Sequence, residues 1–167
     1  MTDLHYTVTE TIYRRYGQVI EIVYEYDEVR EEQVLENMQT KTEKRRRTYQ
    51  ASITRTEYER IANKVQYQRY VLPFDTFVTI LRPFMMGTYA AEEVREAFRL
   101  LDKNSSNTID VEELAGFLSV LHPIMSKETL LGYINKVARD GHNDINFDEF
   151  SQMILRGVGR DIVCGHF

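Results

Sequence analysis

The apolar positions of this chain change their rhythm about halfway along. From residue 88 onward they recur at three- and four-residue intervals. The sets are Val94, Ala97, Phe98 and Leu101; Leu114, Phe117, Leu118 and Leu121; Leu130, Ile134 and Val137; and Phe150, Met153 and Ile154. That spacing gathers each set on one face of a helix. Thr88 and Ser126 stand where N-caps belong before the first and third sets. Pro123 separates the second set from the third, and Gly157 lies where the fourth should stop. The pattern predicts four helices joined by two polar loops and one short connector.

Upstream the pattern is less regular. Residues 54–65 predict a helix carrying Tyr58, Ile61, Ala62 and Val65 inward, and residues 74–81 another through Phe74, Phe77, Val78 and Leu81. Pro83 breaks a helix interior and Gly87 weakens one, which argues against a long central helix and sets a boundary at about residue 87. Two lobes result, 1–87 and 88–167. Before residue 48 two readings compete. Ile20, Ile22, Tyr24 and Tyr26 alternate as strands do, with a turn near Gly17, while Ile12, Tyr16, Val19 and Val23 fit a helix almost as well. Residues 28–47 read as a solvated helix closed by the basic run Lys44-Arg45-Arg46-Arg47. The fold class expected is mainly α.

An apolar fraction of 43% is enough for a core. The net charge of −5 argues against a nucleic-acid binder, which presents a basic surface, and fits a cation-binding protein or one with basic partners. The single cysteine, Cys164, excludes an intramolecular disulfide and fits a reducing compartment. The first residues lack the basic start and apolar run of a signal peptide, and Thr2 excludes N-myristoylation. No stretch approaches the roughly 18 apolar residues that span a bilayer. In the tail Cys164-Gly165-His166-Phe167, the cysteine stands where a prenylation signal would place it. Gly165 and His166 fill the two usually aliphatic positions poorly, so the tail reads as frayed rather than prenylated. The expectation is a soluble, cytoplasmic protein.

One polar loop carries a pattern of oxygens. Residues 102–113 read Asp-Lys-Asn-Ser-Ser-Asn-Thr-Ile-Asp-Val-Glu-Glu. A hard cation such as Ca²⁺ takes six to eight oxygen ligands from a short turn between two helices. Asp102, Asn104, Ser106 and Asp110 fall at loop positions 1, 3, 5 and 9, Thr108 offers its carbonyl at position 7, and Glu113 at position 12 is long enough to reach back with both oxygens. Ile109 at position 8 suits a short strand contact with a neighbouring loop. Position 6, which calls for glycine, is Asn107, the non-glycine type that enters the left-handed region most readily. That departure and the neutral residues at positions 3 and 5 predict a dissociation constant on the order of 10⁻⁶ to 10⁻⁴ M at one Ca²⁺ site, with Mg²⁺ as a competitor.

A second loop follows in the same register: Ile145 and Glu149 each lie 36 residues after Ile109 and Glu113. In residues 138–149, however, Ala138 replaces the first carboxylate, and His142 offers a nitrogen poorly matched to a hard cation. Asp140 and Glu149 remain. The expectation is a structural loop that pairs Ile145 with Ile109 and holds no calcium.

These residues resemble the calmodulin, troponin C and light-chain branch of the EF-hand superfamily. Glu92-Glu-Val-Arg-Glu-Ala-Phe-Arg-Leu-Leu-Asp102 looks like the entering helix of that family's third hand, and Ile145-Asn-Phe-Asp-Glu-Phe150 like the close of its fourth. Leu72-Pro-Phe-Asp-Thr-Phe77 is similar to the end of a second hand, with Thr76 where the glutamate should be and Gln66-Tyr-Gln-Arg-Tyr-Val71 in place of an acidic loop. The resemblance implies a divergent, EF-hand-like N-terminal lobe with a degenerate hand over 54–84. It also implies partner binding, with an amphipathic helix received in an apolar groove drawn from Phe98, Leu101, Leu118, Leu121, Leu131, Met153 and Leu155. A calcium-binding regulatory or adaptor subunit docked on a larger protein is the function implied, with a cytoskeletal or motor protein as a special case. A calcium buffer without partner, or a structural subunit indifferent to calcium, is the alternative. No enzyme is expected. His5, His122, His142 and His166 belong to no catalytic motif, no Gly-rich phosphate loop is present, and nothing in sequence activates Cys164.

Overall fold

Strand, not helix, prevails in the segment up to Thr54. The computed structural model describes residues 2–36, 39–65, 67–138 and 141–165. β1 (Thr2–Arg15), β2 (Gln18–Glu36) and β3 (Gln39–Thr54) form an antiparallel sheet in the order β1-β2-β3. The first turn is the two-residue kind: Tyr16 and Gly17 both have positive φ, 52° and 79°, which matches the twist of the flanking strands. Rows across the sheet explain the choice of strand. Ile12, Ile22 and Ile53 stand opposite one another, as do Val8, Tyr26 and Tyr49. Tyr26 stacks on Tyr49 at 4.8 Å between ring centroids and lies 6.4 Å from Tyr6, and the Tyr24 hydroxyl donates to Glu10 at 2.6 Å.

Two expectations fail here. The described residues of 28–47 are not a solvated helix, and nothing resembling a hand occupies the described residues before Arg55, so the mainly α, EF-hand-like lobe gives way to a β-sheet over the first 54 residues. The basic run lies in β3, where Lys44 pairs with Glu31 at 3.5 Å and Arg47 stands opposite Glu28 on β2. The strand alternation is also shifted at its start. A bulge between Tyr13 and Arg14 gives β2 one extra residue, which leaves Ile20 39% exposed and turns Val19 inward.

A second compact unit runs from Arg55 onward. It comprises α1 (Arg55–Ala62), α2 (Phe74–Met86), α3 (Val94–Leu101), β4 (Ile109–Asp110), α4 (Val111–Leu121), α5 (Lys127–Val137), β5 (Asp144–Ile145), α6 (Phe147–Leu155) and α7 (Val158–Cys164). The helices at 54–65 and 74–81 therefore exist, the second running through Pro83 to Met86. Gly87, at φ 56°, ends it. The compact units divide at Thr54, not near residue 87, and both of these helices belong with the later ones. Tyr58 joins α1 to α2 by packing on Phe74 and Phe77 and donating its hydroxyl to the Leu72 carbonyl.

Caps follow their residues with one exception. Ser126 accepts from the Thr129 N–H at the start of α5. Thr88 caps nothing: 3₁₀ turns over Gly87–Glu93 precede α3, and the Thr88 hydroxyl donates to the Leu155 carbonyl at 3.1 Å. The tail is not frayed up to Gly165, because Cys164 closes α7. His166 and Phe167 lie outside the described residues. No helix among the described residues is long and apolar enough to cross a membrane.

Candidate metal centre

The loop between α3 and α4 turns on two left-handed residues, Ser105 at φ 55° and Asn107 at φ 66°. The strain at Asn107 falls where its type predicts, and each such residue costs about 1–2 kcal/mol. Asp102 anchors the turn: Oδ1 accepts from the Ser106 N–H at 3.0 Å, and Oδ2 from the Asn107 N–H at 2.9 Å. Asn104 Oδ1 lies 3.2 Å from the same Ser106 nitrogen. The Ser106 hydroxyl is 3.2 Å from Asp102 Oδ1 and 3.0 Å from the Thr108 carbonyl oxygen. Four of the expected donors are therefore knitted together through Ser106.

Glu113 completes the ring from the first turn of α4. Its side chain is buried and reaches back across the loop, where Oε2 accepts from the N–H groups of Lys103 at 2.7 Å and Asn104 at 3.4 Å. Oε1 accepts from the Asp110 N–H at 3.0 Å, while Asp110 Oδ1 accepts from the Glu113 N–H at 2.9 Å, a reciprocal capping box. Asp110 is thus committed to the helix start, whereas Asp102 and Glu113 face the loop's own N–H groups.

The electrostatics match that geometry. Burial raises the Glu113 carboxyl pKa above its ordinary value, and the nearby Asp110 charge adds to the rise. Hydrogen bonds from the Asp110, Lys103 and Asn104 N–H groups act in the opposite direction. Burial likewise lowers the Lys103 ammonium pKa, against the pull of Glu113. A buried carboxylate held above its usual range gains from a cation. The donor set (carboxylates, amide oxygen, hydroxyl and carbonyl) consists of hard oxygens, which fits Ca²⁺ or Mg²⁺ better than a softer ion. Among the described residues no three His, Cys, Asp or Glu side chains gather as a metal-holding group, so any ion here depends on the neutral oxygens as well.

The second loop repeats the frame without the anchor. Ile109 pairs with Ile145 across β4 and β5, both fully buried. Asn146 and Glu149 form the same capping box, at 2.9 Å in each direction. At the loop's entrance Ala138 has no side-chain oxygen to offer, and His142 is exposed. These residues, with Thr108, Asp144, Asn146 and Glu149, line a cavity of about 160 Å³. Asp140 lies outside the described residues, as does Gln66 in the degenerate upstream loop. In that loop Leu72 is buried but lies in no strand; it serves Tyr58 instead.

Sequence reasoning missed Arg160. It is buried in α7, and its Nε donates to the Met85 carbonyl at 2.8 Å. No local pattern announces a contact across 75 residues.

Comparison with known proteins agrees with this geometry. Residues 91–155 match the family model described as an EF-hand domain pair. The chain is similar to troponin C of Todarodes pacificus, 38% identical over 63 residues, which covers 38% of this chain and 43% of that protein. It is similar to troponin C isoform 2 of Caenorhabditis elegans, 33% identical over 87 residues, covering 50% and 54%. A probable calcium-binding protein of Arabidopsis thaliana is 38% identical over 74 residues, covering 44% of each. The chain spans about half the length of these relatives.

Proposed function

Starting from residues 91–155 as an EF-hand pair of the calmodulin and troponin C superfamily, we propose that this protein binds one calcium ion at Asp102–Glu113 and serves as a regulatory or adaptor subunit on a helix of a larger protein. The observation that carries the calcium reading is Glu113. A buried carboxylate reaches back over ten residues to the N–H of Lys103, which brings the loop's last ligand to its entrance. Asp102, Asn104, Ser106, the Thr108 carbonyl and Glu113 would hold the ion, with Asp110 capping α4 behind them and Mg²⁺ competing for the same oxygens. Bound there, the cation would supply positive charge to two carboxylates that otherwise rely on backbone N–H groups and the Ser106 hydroxyl. The second loop stays a structural partner.

The adaptor reading rests on the apolar faces of α4 and α6, which bury Phe117 and Leu118 on the first helix and Phe150 and Met153 on the second. Only Met125 and Met153 of the six methionines lie after residue 87. Promiscuous sensors use many flexible methionines, so this composition favours a dedicated partner, with a cytoskeletal or motor protein as a special case. Calorimetric titration of the full chain with Ca²⁺ tests the calcium half of the proposal. One binding event is expected in the wild type, in the micromolar to 100 µM range (on the order of 10⁻⁶ to 10⁻⁴ M), and none in Glu113→Gln. Two equal sites, or binding that survives Glu113→Gln, would overturn it.

A further inference from the structure

Helix α2 is buried in an unusual way. Phe77, Ile80, Leu81, Phe84 and Met85 are all fully buried, so apolar contact surrounds the helix on more than one side, as in a helix enclosed by others rather than one lying on a surface. Two of its rings, seven residues apart, sit on one residue of α4. Phe77 lies 5.1 Å and Phe84 4.7 Å from the Phe117 ring, and Phe84 also lies 5.8 Å from Phe150 of α6. Phe117 and Phe150 belong to the same faces on which the adaptor reading depends. A second device holds the helix there. Gly159 of α7 leaves no room for a side chain, since an added Cβ would stand 2.9 Å from Ile154 and 3.1 Å from Phe84. The next residue, Arg160, donates to the Met85 carbonyl at the C-terminal end of α2, where a cation also meets the negative end of the helix dipole. Gly87 is the complement of this contact, because a Cβ at that position would come within 3.0 Å of Arg160 Nη2. His122 at the end of α4 ties the same short helix down through the Val163 carbonyl at 3.0 Å.

We infer that α2 is a built-in ligand of the EF-hand pair, latched by α7 through Arg160, and that a partner helix docks by displacing it. This rests on the adaptor reading above and names the partner's chemistry: an amphipathic helix with aromatic residues seven apart and a branched aliphatic residue between them, the arrangement of Phe77, Leu81 and Phe84. Affinity for such a helix is then lowered by the fraction of molecules in which α2 is seated, and loosening the latch raises it.

The test uses the full chain with saturating Ca²⁺ and, as probe, a fluorescent peptide of the sequence from Pro73 to Gly87. Wild type is compared with Arg160→Gln, which loosens the latch, and with Phe84→Ala, which weakens the resident helix; amide hydrogen exchange of residues 74–86 is read in parallel. Both variants are expected to bind the peptide at least tenfold more tightly than wild type, with faster exchange in α2 while α4 and α6 stay protected. Should Phe84→Ala fail to fold, Arg160→Gln alone carries the comparison. Wild type binding as tightly as the variants overturns the inference and leaves the adaptor reading standing. Faster exchange in α2 without any peptide binding sinks the adaptor reading, and the inference with it. Unchanged exchange in the variants also overturns it, because α2 is then not held by these contacts.

Discussion

The two loops of the pair share a scaffold and differ in charge. Each closes with a glutamate that accepts from the backbone N–H of its own helix cap, and each contributes one isoleucine to the same two-residue bridge. Only the first opens with a carboxylate, Asp102, that gathers the N–H groups of Ser106 and Asn107; in the second, Ala138 stands there. On the calcium reading proposed above, holding the shape of a hand and holding an ion are separable properties. The shape comes from the bridge, the capping box and the flanking helices. The ion would depend on a few oxygens that the shape brings together.

The separation predicts unequal consequences for unequal changes. Ile145→Ala removes no ligand, yet it opens a cavity beneath the bridge. It should cost about 2–4 kcal/mol of stability in thermal or denaturant unfolding and should also weaken calcium binding at the intact loop. Were that substitution to leave calcium affinity untouched, the loops would be independent and the scaffold argument would fail. Asp102→Ala gives the first loop the entrance residue of the second. Affinity should fall at least about a hundredfold, equivalent to about 2.7 kcal/mol, and the calcium-free protein should lose about 1 kcal/mol of stability because the Ser106 and Asn107 N–H groups lose their acceptor. Asn107→Gly relieves a left-handed asparagine, and its expected effect is smaller: about 1 kcal/mol of added stability and severalfold tighter calcium binding.

The smallest effect is in protons. A carboxyl whose pKa is raised in the folded state favours folding at acid pH, and that contribution is lost as pH rises through the raised value. At neutral pH the calcium-free fold therefore bears the cost of a buried Glu113 carboxylate. A cation needs that carboxylate, so binding expels whatever proton the group retains. Titrations in buffers of different ionisation heat should show proton release growing as pH falls from neutrality toward the ordinary glutamate value of about 4.3. In Glu113→Gln this release should vanish.

The helical part of the protein was legible because its information is local. Positions 94, 97, 98 and 101 make a face by themselves, and Ser126 caps α5 from three residues away. The spacing of the oxygen-bearing residues is just as local, and the structure draws Asp102, Asn104, Ser106, Thr108 and Glu113 together on one loop, with Asp110 at the helix cap. The sheet was legible only in part: the alternation from Ile22 to Tyr26 and the turn near Gly17 pointed to strands, but residues 28–47 did not, for the opposite reason. Residues 28–47 are rich in Glu, Lys, Arg and Gln, all good helix formers, and what holds them extended lies on another strand: Glu31 against Lys44 within the segment, and just beyond its ends Asp27 accepting from the Thr48 hydroxyl at 2.5 Å and Glu21 from the Ser52 hydroxyl at 2.9 Å. Acidic residues on one segment matching basic or hydroxyl residues on the next in reverse order were the available signal. The single-residue bulge at Ile20 blurred the alternation that would have supported it. Arg160 and α7 escaped for a similar reason, since their worth lies in contacts with a helix 75 residues earlier.

The central claim is one ion at one loop. A crystal structure of the full chain grown in saturating calcium, with anomalous scattering used to locate the ions, addresses it directly. The account predicts a single peak between Asp102 and Glu113, bound by both side chains, and no peak between Ala138 and Glu149. Equal occupancy of both loops, or Asp102 and Glu113 turned apart with no ion between them, would contradict it.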